Sequence, residues 1–274
     1  MTSRAEETPA GGPRLLGLAA ITFDFGNTLV PIDHGGLRRV VVVTAERVCE
    51  RIGGADLAVF LSAWAEERAR QFREEVPRFR EVDLDQRVRR VLARLRGLAP
   101  PPVDETWDDD AAAARSTPDE VAFAVDVYSR AFVAGLPAAP EAGALLERLR
   151  ARGLRLAILS NWPLAATIDR YAEASGWLPM LDAVIVSQRV GAIKPHPAIF
   201  AAAAEALGQP EPAAILHVGD DWAADVIGAK SAGWRAALLN GRPTDSPLPS
   251  SERTADVVAD LELRSLGELE GHLG

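Results

Sequence analysis

The chain has 274 residues, 48% apolar and 25% charged, the composition of a soluble globular protein with room for one large domain or a domain carrying an insert. A formal charge of −9 argues against general binding to nucleic acid or to an anionic membrane surface. Single Cys49 excludes an internal disulfide and a cysteine-based zinc cluster and fits a reducing cytoplasm, and no run reaches the ~18 apolar residues of a membrane span.

Residues 1–14 are polar, contain Pro and Gly, and read as a disordered tail. Leu18–Phe23 is a short, nearly continuous apolar run, as expected of a parallel strand covered on both faces. Asp24 interrupts it too early for a secretory leader. Leu37–Gly53, Asp56–Glu75 and Asp83–Arg96 carry helical apolar spacing and many charges. A break rich in Pro and Asp follows over Ala99–Pro118, with Trp107 inside it. Asp119–Ala134 is another predicted helix, with Thr117 as a candidate N-cap before Pro118. Residues 34–136 thus read as an all-helical block.

From Pro137 helices and strands alternate. Helices are expected at Glu141–Arg152, Leu164–Ser175, Pro197–Leu207 and Ala223–Ala232. Strands are expected at Arg155–Leu159, Ala183–Val186, Ile215–Val218, Arg235–Leu239 and Val257–Ala259, with a loop over Gly241–Ser251 and a last helix at Leu266–His272. This alternation predicts an α/β fold, a doubly wound parallel sheet. The first strand precedes the helical block and the others follow it, so the block is an insertion into one α/β domain made of 15–33 and 137–274. In such sheets ligands bind beyond the carboxyl ends of the strands.

Four polar groupings fall at those ends. Asp24-Phe25-Gly26-Asn27-Thr28 ends the first strand, and a carboxylate there can act as a covalent nucleophile. Asn27 and Thr28 can bind backbone or a phosphate oxygen. Ser160-Asn161 offers a hydroxyl and an amide to an oxyanion, or simply makes a turn. Lys194 lies in Lys194-Pro195-His196-Pro197, and only Lys194 and Lys230 among 30 basic residues are lysine. A compact ammonium at a tight site is not replaceable by a guanidinium; Lys230 reads as a solvated surface residue. Asp220, Asp221 and Asp225 follow a strand and a glycine; such carboxylates suit a hard cation such as Mg²⁺, with Asp221 alternatively a helix cap. Trp162 and Trp222 each follow a motif and are either pocket walls or packed aromatics.

Taken in order, these groupings resemble the haloacid dehalogenase-like hydrolase superfamily, from about Leu15 to the C-terminus. The resemblance implies a Rossmann-like core with a helical cap inserted after the first motif. It implies Asp24 as nucleophile and Ser160 and Lys194 as phosphate or anion ligands. It further implies Mg²⁺ held by Asp24, the Gly26 carbonyl, Asp220 and Asp225. Phosphatases that the chain resembles carry an acid/base Asp two residues after the nucleophile, where this chain has Gly26; Asp33 or His34 would then have to stand in. The leading expectation is a Mg²⁺-dependent, cytoplasmic phosphatase that turns over a small phosphorylated metabolite through an aspartyl-phosphate, with Asn27, Thr28 and Asn161 at the substrate. The alternatives are a metal-independent 2-haloacid-type dehalogenase, or a repurposed member binding a phosphorylated or diphosphate ligand. No nucleic-acid or membrane partner is expected, and nothing in the sequence sets an oligomeric state.

Overall fold

The computed structural model describes residues 14–274; all of the expected tail but Arg14 lies outside the described residues. Six parallel strands form one sheet in the order β3-β2-β1-β4-β5-β6: β1 Ala20–Phe23, β2 Arg155–Ser160, β3 Ala183–Val186, β4 Ile215–Gly219, β5 Arg235–Leu239 and β6 Leu261–Leu263. Every residue of β1 is buried, as its apolar run requires of a central strand, and it pairs with β2 on one side and β4 on the other. Thr22 is the polar exception inside β1. It sits in register with His217 of β4, and the two side chains bond at 2.8 Å.

The last strand is not Val257–Ala259 but β6. Asp260 ends the preceding loop by receiving the Ala236 amide and pairing with Lys230 at 2.9 Å. Only after it does the chain alternate inward and outward, Leu261 and Leu263 being buried and Glu262 exposed, as suits an edge strand. Lys230, expected in solvent, is therefore a half-buried tie between the last two strands and the helix before β5. The expected C-terminal helix is a single tight 3₁₀ segment, Leu266–His272.

From His34 to Gly135 the regular elements of the described chain are helices without a strand: α1 His34–Arg51, α2 Leu57–Glu75, α3 Leu84–Leu95, α4 Asp109–Ala113 and α5 Pro118–Gly135. Asp33, Asp56 and Asp83 accept backbone amides at the starts of α1, α2 and α3. Thr117 and Glu120 form a reciprocal capping box on α5, with Pro118 in its first turn. In α3, Leu84, Val88, Val91 and Leu92 form one buried stripe at helical spacing. Trp107, in the Pro-rich break, is buried and donates to Glu67 at 2.8 Å, which anchors that break to α2. The remaining helices flank the sheet: α6 Ala142–Ala151, α7 Ala165–Ala174, α8 Ser187–Val190, α9 Pro197–Ala206 and α10 Gly228–Ser231. Ahead of α10 the chain makes one wide, π-type turn over Trp222–Ile227.

The helical block is tied over the carboxyl edge of the sheet. The Ile193 amide donates to the Phe79 carbonyl at 3.1 Å, Ser187 Oγ to Glu81 Oε2 at 2.5 Å, and Arg68 Nη2 to the Pro247 carbonyl at 2.8 Å. A cavity of about 360 Å³ lies between block and sheet edge.

Candidate active site

Asp24 leaves β1 where its own amide still donates to Val218 of β4, so the carboxylate is aimed from a rigid strand end. Lys194 reaches it from the loop before α9. Its Nζ lies 2.8 Å from Asp24 Oδ1, 2.6 Å from Asp225 Oδ1 and 2.9 Å from the Leu159 carbonyl. The ammonium is 3% exposed, so all three of its donors are spent on protein acceptors. Asn161 fixes the lysine's backbone from both sides: its Oδ1 receives the Lys194 amide at 2.7 Å and its Nδ2 donates to the Lys194 carbonyl at 3.1 Å.

Asp225 reaches this centre from the π-type turn. A Cβ at position 219 would stand 2.2 Å from its carboxyl group, so Gly219 is what lets the side chain fold back. Asp225 Oδ1 also receives His217 Nε2 at 2.9 Å, and Oδ2 receives the Asp221 amide at 2.9 Å. Asp221 itself caps the turn, accepting from the Ala224 amide and from Ser251. Asp220 stands beside them with Oδ2 held by Asn27 Nδ2 at 3.2 Å and by Arg242 Nη1 at 3.1 Å. Asn27 adopts a positive φ of 58°, tolerable for asparagine, and its Oδ1 accepts from the Ile32 amide and from Ser246 Oγ.

The charges are unevenly satisfied. Burial pushes the Asp24 carboxyl up from its ordinary range, with Lys194 opposing. Burial also tends to raise Asp225, but Lys194 and His217 more than offset it and hold the group well below the usual carboxylate range. Asp220 is pushed up to about 8, first by burial, then by the neighbouring Asp24 and Asp225 charges. Burial would lower Lys194, yet Asp225 and Asp24 raise it overall, so it is a fixed cation. His217 is driven toward its neutral form by burial and by Lys194.

The donor set fits a hard divalent cation. Ligand oxygens of Asp24, Asp220 and Asp225 lie within 4.8 Å of one another. No hydrogen-bond donor engages Asp24 Oδ2, Asp220 Oδ1 or the Gly26 carbonyl among the described residues. Burial and the Asp24 and Asp225 charges together raise Asp220 despite Arg242 and Asn27 beside it.

Of the residues singled out from sequence, Asp24, Gly26, Asn27, Asn161, Lys194, Asp220 and Asp225 border the cavity. Ser160 and Thr28 are buried and do not; the Thr28 hydroxyl has no partner. Asp33 is spent on capping α1, its Oδ1 2.5 Å from the Gly36 amide, and neither it nor exposed His34 borders the cavity. Trp162 lines the cavity and packs on Phe25 and Phe132, whereas Trp222 lies outside it beneath Arg253.

Several participants were not singled out. Arg242, Ser246 and Leu248 belong to the β5–β6 loop, which folds into the site. Thr22 and His217 form the buried support behind Asp225; two polar residues inside otherwise apolar strands were the available signal. Arg68 and Arg87 enter from α2 and α3, with no distinguishing mark in helices dense with arginine.

The chain is 38% identical over 124 residues to a phosphoserine phosphatase of Thermus thermophilus, 44% of this chain and 49% of that protein. It is 31% identical over 146 residues to the ribulose-1,5-bisphosphate 5-phosphatase of Halopiger xanaduensis, 53% of this chain and 60% of that protein. The chain thus spans about half the length of the curated relatives it matches. Its fold is that of a 2-haloacid dehalogenase from Pseudomonas syringae, with a TM-score of 0.61 and 21% identity over 92% of this chain and 96% of that one. A model of the family described as "haloacid dehalogenase-like hydrolase" matches residues 18–233, and the chain belongs to that family of hydrolases.

Proposed function

We propose that the protein is a Mg²⁺-dependent phosphohydrolase that forms an aspartyl-phosphate at Asp24 on a small phosphorylated substrate. The observation that carries this reading is the convergence of Asp24, Asp220 and Asp225 within 4.8 Å of one another, with the buried Lys194 ammonium on Asp24. Mg²⁺, when bound by Asp24, Asp220, Asp225 and the Gly26 carbonyl, supplies charge neutralisation for the phosphoryl oxygens.

The chain's own groups supply the rest. Lys194 stabilises Asp24 as a carboxylate against its burial and leaves Oδ2 without a protein donor. That oxygen attacks phosphorus, the ester oxygen departs with the bonding pair, and the phosphoryl group stays on Asp24. Water then attacks the same phosphorus, releasing inorganic phosphate and restoring the carboxylate. Asn161 keeps Lys194 in place, and Asn27 orients Asp220. Two phosphatase relatives support the reaction class. The metal-independent dehalogenase reading is the weaker one, because ligand oxygens of Asp24, Asp220 and Asp225 converge within 4.8 Å of one another, a donor set for a divalent cation. In the same proposal, 15–33 and 137–274 are the catalytic domain and 34–136 the cap, and the enzyme works in the cytoplasm.

The test is release of phosphate from p-nitrophenyl phosphate with and without Mg²⁺, in the wild type and Asp24→Asn. Metal-dependent release abolished by Asp24→Asn is expected. One observation favours a second reading, ligand binding without turnover: an apolar methyl of Leu248 fills the space beside Gly26. Tight binding of vanadate with no phosphate release would select it.

A further inference from the structure

The cap side of the cavity holds two arginines that differ from their neighbours. Arg70, Arg90, Arg94 and Arg96 are all paired with carboxylates of the helical block. Arg68 and Arg87, which border the cavity, form no ion pair among the described residues. Arg87 is 3% exposed, its Nε donates to Gln71 at 2.9 Å, and its buried Nη2 has no acceptor. Arg68 spends Nη2 on the Pro247 carbonyl and stacks over Phe72 at 4.7 Å. Glu81, an acidic residue of the cavity wall, is engaged by Ser187 Oγ and the Val82 amide. Two guanidinium groups thus border one cavity, and one of them keeps a buried N–H group with no acceptor among the described residues. The strain is electrostatic as well: burial, with Arg68 adding to it, brings Arg87 down to about 10.

We propose that Arg68 and Arg87 receive a second anionic group, a carboxylate or a phosphate, on a substrate whose phosphoryl group faces Asp24. The inference rests on the phosphohydrolase reading and narrows the substrate to small phosphate monoesters that carry a second anionic group. The phosphoryl group meets Asp24 at the sheet edge, and the second anion meets the guanidinium pair on the opposite wall. An apolar or neutral tail would leave both guanidinium groups without an anion.

The test measures binding apart from turnover. Calorimetric titration compares propylphosphonate, 3-phosphonopropanoate and propane-1,3-bisphosphonate, in the presence of Mg²⁺. At least tenfold tighter binding of one or both anion-bearing probes than of propylphosphonate is expected. The stronger of the two identifies the second group as carboxylate or phosphate. Arg68→Gln is expected to bring the ratio close to one, and Arg68→Lys to restore part of it. Arg87→Lys is expected to reduce it too, but Arg87 is buried, so Arg68→Gln carries the decision, with cooperative melting as the control for folding. Equal affinities for the three probes in wild type, or a ratio unchanged by Arg68→Gln, would overturn the inference. A preserved ratio without hydrolysis of the matching phosphate esters would instead remove the phosphohydrolase reading and leave the anion site standing.

Discussion

A Cβ added to Gly26 would stand 2.7 Å from Leu248 Cδ1, with Ile32 Cδ1 at 3.4 Å and Trp162 Cζ3 at 3.7 Å. The β5–β6 loop therefore fills the space that a side chain at position 26 would use. Gly26→Asp alone is expected to destabilise the protein by roughly 1–3 kcal/mol through overpacking, and Leu248→Ala to relieve most of that. Denaturant melts of the two single variants and the double variant measure the coupling. Without an acid at position 26, wild type should cleave an aryl phosphate faster than an alkyl phosphate of similar size, since only the alkoxide needs a proton to leave. The double variant should narrow that gap. Equal rates in wild type would show that another group delivers the proton.

Lys194 neutralises two buried carboxylates at once. Lys194→Met leaves Asp24 and Asp225 without their cation, a loss expected to cost about 3–5 kcal/mol, as for other broken buried pairs. Lys194→Arg should not restore activity: the planar fork cannot replace a compact ammonium held by three converging acceptors. Thermal melts and phosphate release together check this. An active Lys194→Arg variant would mean that the site tolerates a guanidinium and that the geometry at Nζ is not what activates Asp24.

The first four strands and their polar ends were legible because each is a largely apolar run stopped by Asp, Ser or Gly. Lys194 stood out because lysine is otherwise nearly absent. The helical block was legible from spacing and caps such as Thr117. What escaped was set by contacts distant in sequence. Arg242 reaches Asp220 across 22 residues and Arg68 reaches Pro247 across 179, and no local pattern in a Pro- and Ser-rich loop announces either contact. Val257–Ala259 looked like the last strand because β-branched residues suit strands, but Asp260 binds the β5 backbone first and shifts the pairing to Leu261–Leu263. Arg87 was hidden among many arginines, since what distinguishes it is a buried Nη2 without an acceptor and no ion pair among the described residues.

Asp220 gives a pH prediction with a definite sign. Its folded pKa of about 8 lies above the ordinary carboxylate value of about 3.9. The folded state then holds a proton that the unfolded chain has lost. Its contribution to stability is full below about pH 4 and disappears as pH rises through 8. In chelator, Asp220→Asn should therefore gain in melting temperature relative to wild type between pH 5.5 and pH 8.5. Mg²⁺ should cancel that relative gain, because a bound cation stabilises the ionised wild-type site and not the amide. Parallel curves at both pH values, with no response to Mg²⁺, would show that Asp220 neither carries the proton nor senses the metal.

His217 holds the back of the site, and its hydrogen bonds specify one tautomer. Asp225 accepts only, so Nε2 carries the hydrogen toward it at 2.9 Å. Nδ1 is then the acceptor for the Thr22 hydroxyl at 2.8 Å. Burial and Lys194 lower the imidazole pKa, so the ring should stay neutral in the folded protein as pH falls through the ordinary histidine range. Nitrogen-15 NMR of the ring should show an Nε2–H imidazole unchanged from pH 7.5 to 5.5. The sign of its effect on folding is opposite to that of Asp220: the unfolded histidine takes up a proton below about pH 6.5 and the folded one does not, so this stability is lost as pH falls. His217→Leu strips Asp225 of one donor and leaves the Thr22 hydroxyl buried without its partner, each expected to cost about 1–3 kcal/mol. Its effect on turnover separates support from catalysis. If His217 only positions Asp225, Thr22→Val should lower activity in the same direction and to a smaller extent, with the pH profile unchanged. A shifted pH optimum in His217→Leu at unchanged Asp225 geometry would instead assign the imidazole a direct part in proton transfer.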